Sequence, residues 1–465
     1  MNSNFQLVKP KILPPYDDQF RPAVLANKHF AESVKAFGKP LVIGLEREDG
    51  KLSRFETLVF PEDHPQGDQN FYYTERLVKF LLWQRGGYRI FIGGPVSISE
   101  HIKQAYSALG AQKFDFHFMG DQVYEKSFEV ILCKPHEVPA ESGSGHKLGG
   151  NLDGNRIGFD LGASDRKVSA VVDGEVIFSE EKIWEPTAQT DIQYHYTEIM
   201  DSLQTAASKM THVDAIGGSS AGIYINNQPM VASLFRGIPE HQRSDVKHLF
   251  TRIQKKFGVP LVVINDGDVT ALAGAKALGD TGILGIALGS SEAGGYVDME
   301  GHILGWLNEL SFAPIDYSPE SAIDEWSGDR GCGSSYLSQQ CVFRLAPLAD
   351  IEISDQLTNA EKLLVVQEKL RQGHEGAVNI WKTMGVYLGY AIAHYADFYK
   401  VKHVIILGRC TSWGGGSILV EQARHVMAQE FPSLAEKIEI RLPDEKQRRV
   451  GQAIAAASLP MITSR

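Results

Sequence analysis

Cysteine is scarce. The four residues, Cys133, Cys332, Cys341 and Cys410, are scattered over 465 positions, and none forms the CxxC pair a zinc ribbon needs. Such usage suits a reduced cytosol. No uncharged apolar run approaches the ~18 residues of a membrane span, so none is expected. The opening MNSNFQLVKPKILPPYDDQF lacks a positive stretch followed by an apolar core, so export is not expected and a cytoplasmic location is. Positive charge is not in excess either. Lys plus Arg number 46 against 57 Asp plus Glu, a formal charge of −11, which excludes an overall basic footprint for nucleic acid or anionic membrane. What is abundant is glycine, 45 residues, about 10% against a typical ~7%. Without a G-X-Y period these are not collagenous. Hydrophobic residues at 43% and charged at 22% describe a folded globular chain, long enough for about three domains at ~150 residues each.

The clearest boundary is the Gly-, Ser- and Pro-rich stretch His136 to Asn155. Residues 1–150 balance 18 basic against 18 acidic side chains, so all the net negative charge lies beyond. Before the boundary, Pro40 to Phe60 reads as a hairpin around an Asp-Gly turn, Tyr73 to Gln84 as a helix, and Tyr88 to Ile92 as a strand. This is a small α/β unit without consecutive helices, and its Arg and Lys near the helix read as packing ahead of nucleic-acid contact. After the boundary, Arg156 to Phe178 predicts a hairpin. HVDAIGGSSAG and VPLVVINDGDVTALAGAKAL each run from strand into a polar glycine turn, GILGIALG and VKHVIILG are buried apolar strands, and Ala377 to Tyr399 has helical spacing. Such alternation implies sheets layered with helices.

Polar or glycine-rich stretches fall at the ends of predicted strands, where open α/β sheets bind ligands. Asp160-Leu-Gly162-Ala-Ser164 joins a carboxylate to a turn whose backbone N–H groups could meet phosphate, with Asp160 on hydrated Mg²⁺; the same pattern occurs in plain hairpins. Asn265-Asp266 ends a strand and starts a helix, which suits either a proton-accepting carboxylate or a simple N-cap. Gly289-Ser290-Ser291-Glu292-Ala-Gly294-Gly295 is a phosphate-loop candidate or a hairpin turn. Glu309, amid apolar neighbours, would be costly to bury unpaired; sugar hydroxyls, a helix cap or a salt bridge would satisfy it. Gly408 to Gly416 is again strand, glycine loop and helix, able to admit a flat adenine or merely to connect.

In this order, from Arg156 to about Pro460, the set resembles the ROK sugar kinases of the actin and hexokinase superfamily. The resemblance makes Asp160 to Ser164 phosphate-1, Asn265-Asp266 the catalytic pair, Gly289 to Gly295 phosphate-2, Gly305-x-x-x-Glu309 sugar-binding, and Gly408 to Gly416 with Gly414 and Gly415 the adenosine loop. It implies an α/β fold of two actin-like (ribonuclease H-like) domains, at 155–278 and 279–465, closing around ATP and a hexose, with an additional small N-terminal α/β domain at 1–150 whose role is not legible. Asp266 is then the base, Asn265 and Glu309 meet sugar hydroxyls, Mg²⁺ lies near Asp160, and a homodimer is allowed. The implied activity is ATP-dependent phosphorylation of a hexose or amino sugar.

The departures are specific. The family's zinc-binding His position is Phe312, and its cysteine cluster is reduced to Cys332, so no zinc is expected. Ser233 stands where an Asn contacts glucose, Glu292 is inserted in phosphate-2, and Arg409-Cys410 replaces glycines of the adenosine loop. An acid beside a triphosphate is unfavourable unless it points away or binds metal. Two rival readings follow: a sugar-sensing regulator of the same fold, and an actin-like ATPase or scaffold.

Overall fold

Residues 5–143, 148–443 and 445–462 are described by a computed structural model. Residues 144–147, within the expected Gly- and Ser-rich boundary, lie outside the described residues. The chain packs into two compact units, one of Met1–Ser144, Ile286–Gly294 and Trp306–Leu442, the other of Gly145–Gly285, Gly295–Gly305 and Pro443–Arg465.

The first unit opens with a four-stranded sheet of order β2-β1-β3-β4. β1 (Lys39–Glu46) and β2 (Leu52–Val59) form the predicted hairpin, in register from Lys39↔Val59 to Glu46↔Leu52. Asp49 and Gly50 turn the chain at φ 57° and 72°, values that Asp and Gly tolerate better than bulky residues. β3 (Arg89–Gly93) joins β1 antiparallel, and β4 (Glu129–Cys133) runs parallel to β3. Between them the helix Gln69–Arg85 buries almost every residue from Tyr73 onward. A helix buried on all sides needs partners beyond one sheet. It finds them in the same unit's later segment, where Phe80 stacks on Phe398 at 4.0 Å and Trp83 meets Phe312 at 4.1 Å between ring centroids. Phe20 contacts Tyr387 at 4.8 Å. The sequence reading set residues 1–150 apart. In the structure residues 5–143 pack with Trp306–Leu442 in one unit, a long-range packing that local periodicity does not encode.

The second unit centres on a five-stranded sheet of order β11-β8-β5-β6-β7. β5 (Asn155–Leu161) and β6 (Asp165–Val172) are antiparallel, and β7 (Glu175–Ile183) continues the meander after Asp173-Gly174. Three strands thus stand where one hairpin was expected, because the Asp-Gly turn serves β6 and β7 while Gly162 to Ser164 turns β5 into β6. β8 (Ala215–Ser220) lies parallel to β5, a short hairpin of β9 (Ile223–Ile225) and β10 (Gln228–Val231) follows, and β11 (Leu261–Asn265) is parallel to β8. Ile157, Phe159, Val168, Leu203, Ile216, Leu249, Phe250 and Val263 form the core between this sheet and its helices. The helix Glu445–Ala457 returns onto β5 and β8. Gly217 permits this: a Cβ there would stand 1.7 Å from the Ala456 carbonyl oxygen.

A third sheet has the order β13-β12-β14-β15, formed by β12 (Ile283–Leu288), β13 (Glu292–Val297), β14 (His403–Leu407) and β15 (Glu439–Arg441). β14 and β15 are parallel, and the long helix Glu375–Tyr395 is buried along most of its length, as its apolar spacing predicts.

Candidate functional site

In the second unit three parallel strands end side by side. Register aligns Asp160 of β5 with Ser219 of β8 and Ser219 with Ile264 of β11; one residue further on, Leu161, Ser220 and Asn265 are aligned. Carboxyl ends of parallel strands collect polar side chains because the chain leaves the sheet there and pleating no longer dictates burial. Ser219 Oγ donates to Asp160 Oδ1 at 2.7 Å. Asn265 caps the helix Asp266–Leu278, its Oδ1 accepting from the Gly267 N–H at 2.7 Å, while its Nδ2 donates to the Gly222 carbonyl at 2.8 Å. Both ends of that amide are engaged within the protein, so the cap is part of its role. Asp266 is the first residue of the helix, and its Oδ1 also accepts from the Gly267 N–H, at 3.0 Å.

The two carboxylates disturb one another. Burial, then repulsion from Asp160, pushes the Asp266 carboxyl up to about 6, against the lowering effect of the Gly267 N–H. Burial likewise raises Asp160, partly offset by Ser219 and by Lys167. Lys167 on β6 lies directly opposite Asp160, its Nζ 4.0 Å from that carboxylate and 2.9 Å from Asp165. Gly162 N–H donates to the Asp165 carbonyl at 2.9 Å, Trp184 Nε1 donates to the Gly162 carbonyl at 2.8 Å, and Ser164 is exposed. The turn is therefore held from below with its rim open. Two repelling, hard oxygen donors at the carboxyl ends of strands in one sheet suit a hydrated Mg²⁺, whose charge would relieve them.

In the first unit the candidate loops leave adjoining strand ends. Gly408, at φ 98°, follows β14 and sits so close to β12 that a Cβ would meet the Leu288 backbone at 2.4–2.6 Å. Only glycine satisfies both conditions. Gly289 donates its N–H to the Ser291 carbonyl at 3.0 Å and accepts from the Gln339 N–H at 2.9 Å, and Ser290 and Ser291 are exposed. Glu292 does not join them. It begins β13 fully buried, with Oε1 accepting from Tyr395 Oη at 2.8 Å, and burial pushes its carboxyl up to about 8. The acid inserted in this loop points into the core, where burial favours its protonated form. In the other loop Trp381 Nε1 donates to the Cys410 carbonyl at 2.8 Å, and Gly414, at φ 86°, caps the helix Gly415–Glu430.

Glu309 is half-buried and precedes the short turn Leu310–Phe312. Its N–H donates to the Trp83 carbonyl at 3.1 Å, and Asn308 N–H to that of Gln84 at 2.9 Å, so the end of the helix Gln69–Arg85 fixes this backbone. Phe312 lies among Trp83, Phe114 and Phe118, and burial pushes the Cys332 thiol up to about 12. A ring and one protonated thiol do not make a zinc-ligand set. Ser233 is exposed on the turn Ser233–Phe235 of the second unit.

The model of the ROK family matches residues 156–456. The chain belongs to the ROK family. No curated protein matches it. Among solved structures, a ROK hexokinase from Thermus thermophilus is similar over 65% of this chain and 98% of its own, with TM-score 0.50 and 16% identity. A ROK-family glucokinase from Streptomyces griseus, solved with glucose and AMPPNP, covers 65% and 99% with TM-score 0.46 and 20% identity. A ROK-family transcriptional regulator, homologous to the Escherichia coli MLC protein, covers 66% and 79% with TM-score 0.49 and 18% identity. The fold is that of the ROK proteins, α/β with two actin-like domains, and this ROK chain carries additional N-terminal α/β structure. Structures similar to it include both sugar kinases and a regulator.

Within this ROK protein the structure gathers Asp160, Asn265 and Asp266 at one sheet edge of the second unit, and Gly289 and Gly408 at neighbouring strand ends of the first. It does not place Ser233 at the Asp160–Asp266 edge by any contact. Two partners of Asp160 escaped sequence reasoning. Ser219 lies in a stretch already marked as a polar glycine turn, but its pairing with Asp160 required the β5–β8 register. Lys167 required the β5–β6 register. Among the described residues no helix is long and apolar enough to cross a membrane.

Proposed function

We propose that the chain is an ATP-dependent sugar kinase that transfers the γ-phosphoryl group to a hydroxyl of a hexose or amino sugar. The observation that carries this reading is Asp266, at a helix N-terminus, with a carboxyl raised to about 6 beside a second carboxylate. A base of that strength is mostly ionised at pH 7 yet accepts a proton more readily than an ordinary aspartate. It would take the proton of the attacking hydroxyl as the phosphoryl group leaves. Asp160 would hold Mg²⁺ through water, and the metal, when bound, would neutralise phosphate charge. The turn of Gly162 and Ser164 is suited to phosphate, the turn of Gly289, Ser290 and Ser291 likewise, and the loop of Gly408, Gly414 and Gly415 to a nucleoside. Glu309 would accept from a sugar hydroxyl on a backbone that the N-terminal helix holds still, and Asn265 would orient Asp266 through the helix cap.

ADP release measured over a panel of hexoses and amino sugars tests the proposal. Turnover on at least one is expected, with Asp266→Ala losing about 10²–10⁴-fold in kcat while the thermal transition persists. Full sugar-dependent ADP release by that variant would overturn the assignment. One feature favours a second reading, a sugar-responsive regulator: both ends of the Asn265 amide are already satisfied within the protein. A sugar-induced thermal shift with no turnover on any sugar would establish that reading instead.

A further inference from the structure

Trp413 stands apart from the other aromatic side chains of the adenosine loop region. It is 54% exposed, although large apolar residues are normally covered, and its backbone adopts φ 57°, a conformation rare for a bulky side chain. Unlike Asn or Asp, tryptophan has no side-chain acceptor that would favour this conformation locally. The loop bearing it is held firmly. Trp381 Nε1 donates to the Cys410 carbonyl at 2.8 Å, Gln367 Nε2 to the Arg409 carbonyl at 2.8 Å, and Thr411 Oγ1 to the Gly408 carbonyl at 2.7 Å. The Arg371 guanidinium lies over the indole, 5.7 Å from its centroid, and is itself held by two hydrogen bonds to Glu368, at 2.7 and 2.8 Å. One side of the ring thus carries a fixed cation while much of the indole remains open. Gly414 beside it has open space where a Cβ would stand, apart from its chain neighbours.

We infer that Trp413 is the stacking platform for the purine of the bound nucleotide, with Arg371 bracing the indole from behind. This rests on the kinase reading, which assigns the loop to adenosine. Base–indole stacking is sequence-tolerant and needs a rigid, half-open aromatic face, which this loop presents. Pre-organisation of the loop limits the ordering cost of binding. The phosphates, by contrast, would be held by the glycine turns, so purine and triphosphate recognition are separable.

The test uses the full chain, ATP and inorganic tripolyphosphate, with affinities measured by calorimetry and tryptophan emission followed in parallel. ATP is expected to quench emission and tripolyphosphate to leave it unchanged. Trp413→Ala should weaken ATP about ten-fold and tripolyphosphate by less than two-fold. Trp413→Phe should keep ATP affinity within about three-fold, because a smaller ring still stacks, while abolishing the quench. If Trp413→Ala loses both ligands through a disturbed loop, the phenylalanine variant decides: retained affinity without quenching supports the inference, and persistent quenching overturns it. Unchanged ATP affinity in Trp413→Ala overturns this inference alone. Failure of the wild-type chain to bind ATP overturns the nucleotide reading, and the inference with it.

Discussion

At the residue scale, two acids with raised carboxyls have opposite meanings. Asp266 has a carboxyl raised to about 6 from an ordinary 3.8, so its contribution to stability is present at low pH and lost as pH rises through 6. Its ionised form strains the fold at neutral pH, and carboxyls perturbed in this way cluster at functional sites. Asp266→Asn should therefore raise the melting temperature at pH 8, on the order of a few degrees, while abolishing transfer. A lower melting temperature would mean that the carboxylate is structurally supported. On the kinase reading proposed above, kcat of the wild-type chain should fall as pH drops below about 6, where Asp266 becomes protonated. Glu292 has its carboxyl raised to about 8, within the core and against Tyr395, where no substrate is expected. Stability should decline as pH rises from the ordinary 4.5 to about 8, where the unfolded chain ionises this carboxyl and the fold holds it protonated, and should level off above 8. Glu292→Gln keeps the shape and should flatten that decline in thermal melts between pH 4.5 and 8.

At the element scale, β8 and the helix Glu445–Ala457 approach closely at Gly217. Gly217→Ala would drive a methyl group into the Ala456 carbonyl, and should cost about 2–3 kcal/mol in denaturant titrations because backbone, not a flexible side chain, must yield. A variant as stable as the parent would show that the helix shifts without cost. Local signals carry far enough to find most of these elements. The β1–β2 hairpin was legible from its Asp-Gly turn, β11 and the helix after it from an apolar run ending in Asn-Asp, and β12 and β14 from continuous apolar strands. The meander of β5 to β7 was only half legible, because either of two turns could close a hairpin in that stretch. The candidate site divided along the same line. Residue type and order found Asp160, Asp266 and the glycine turns, whereas the inward aim of Glu292 and the pairing of Ser219 and Lys167 with Asp160 depend on register and burial that sequence spacing does not contain.

At the scale of the whole molecule, the N-terminal segment is bound into the first unit by ion pairs as well as rings. Lys79 is fully buried, with Nζ 3.0 Å from both Asp115 oxygens and 3.2 Å from Asp329, and Arg76 donates to Asp329 at 2.9 Å. These cations serve packing and are not displayed on a surface. Cutting such a network leaves buried charge unpaired, which typically costs about 3–5 kcal/mol. Residues 1–144 produced alone should therefore be unfolded or aggregated, and Lys79→Met in the full chain should lower its melting temperature markedly. A well-dispersed NMR spectrum from the isolated segment would contradict this.

The ring contacts also set a schedule for synthesis. Phe20 waits for Tyr387, Phe80 for Phe398 and Trp83 for Phe312, so a nascent chain displays large aromatic residues for more than two hundred residues before their partners emerge. At ribosomal speeds of about 5–20 residues per second, that interval is roughly ten seconds to a minute. The protein's dependence on a chaperone in the cell would then be fixed by where its aromatic partners fall along the message, more than by the stability of the finished fold.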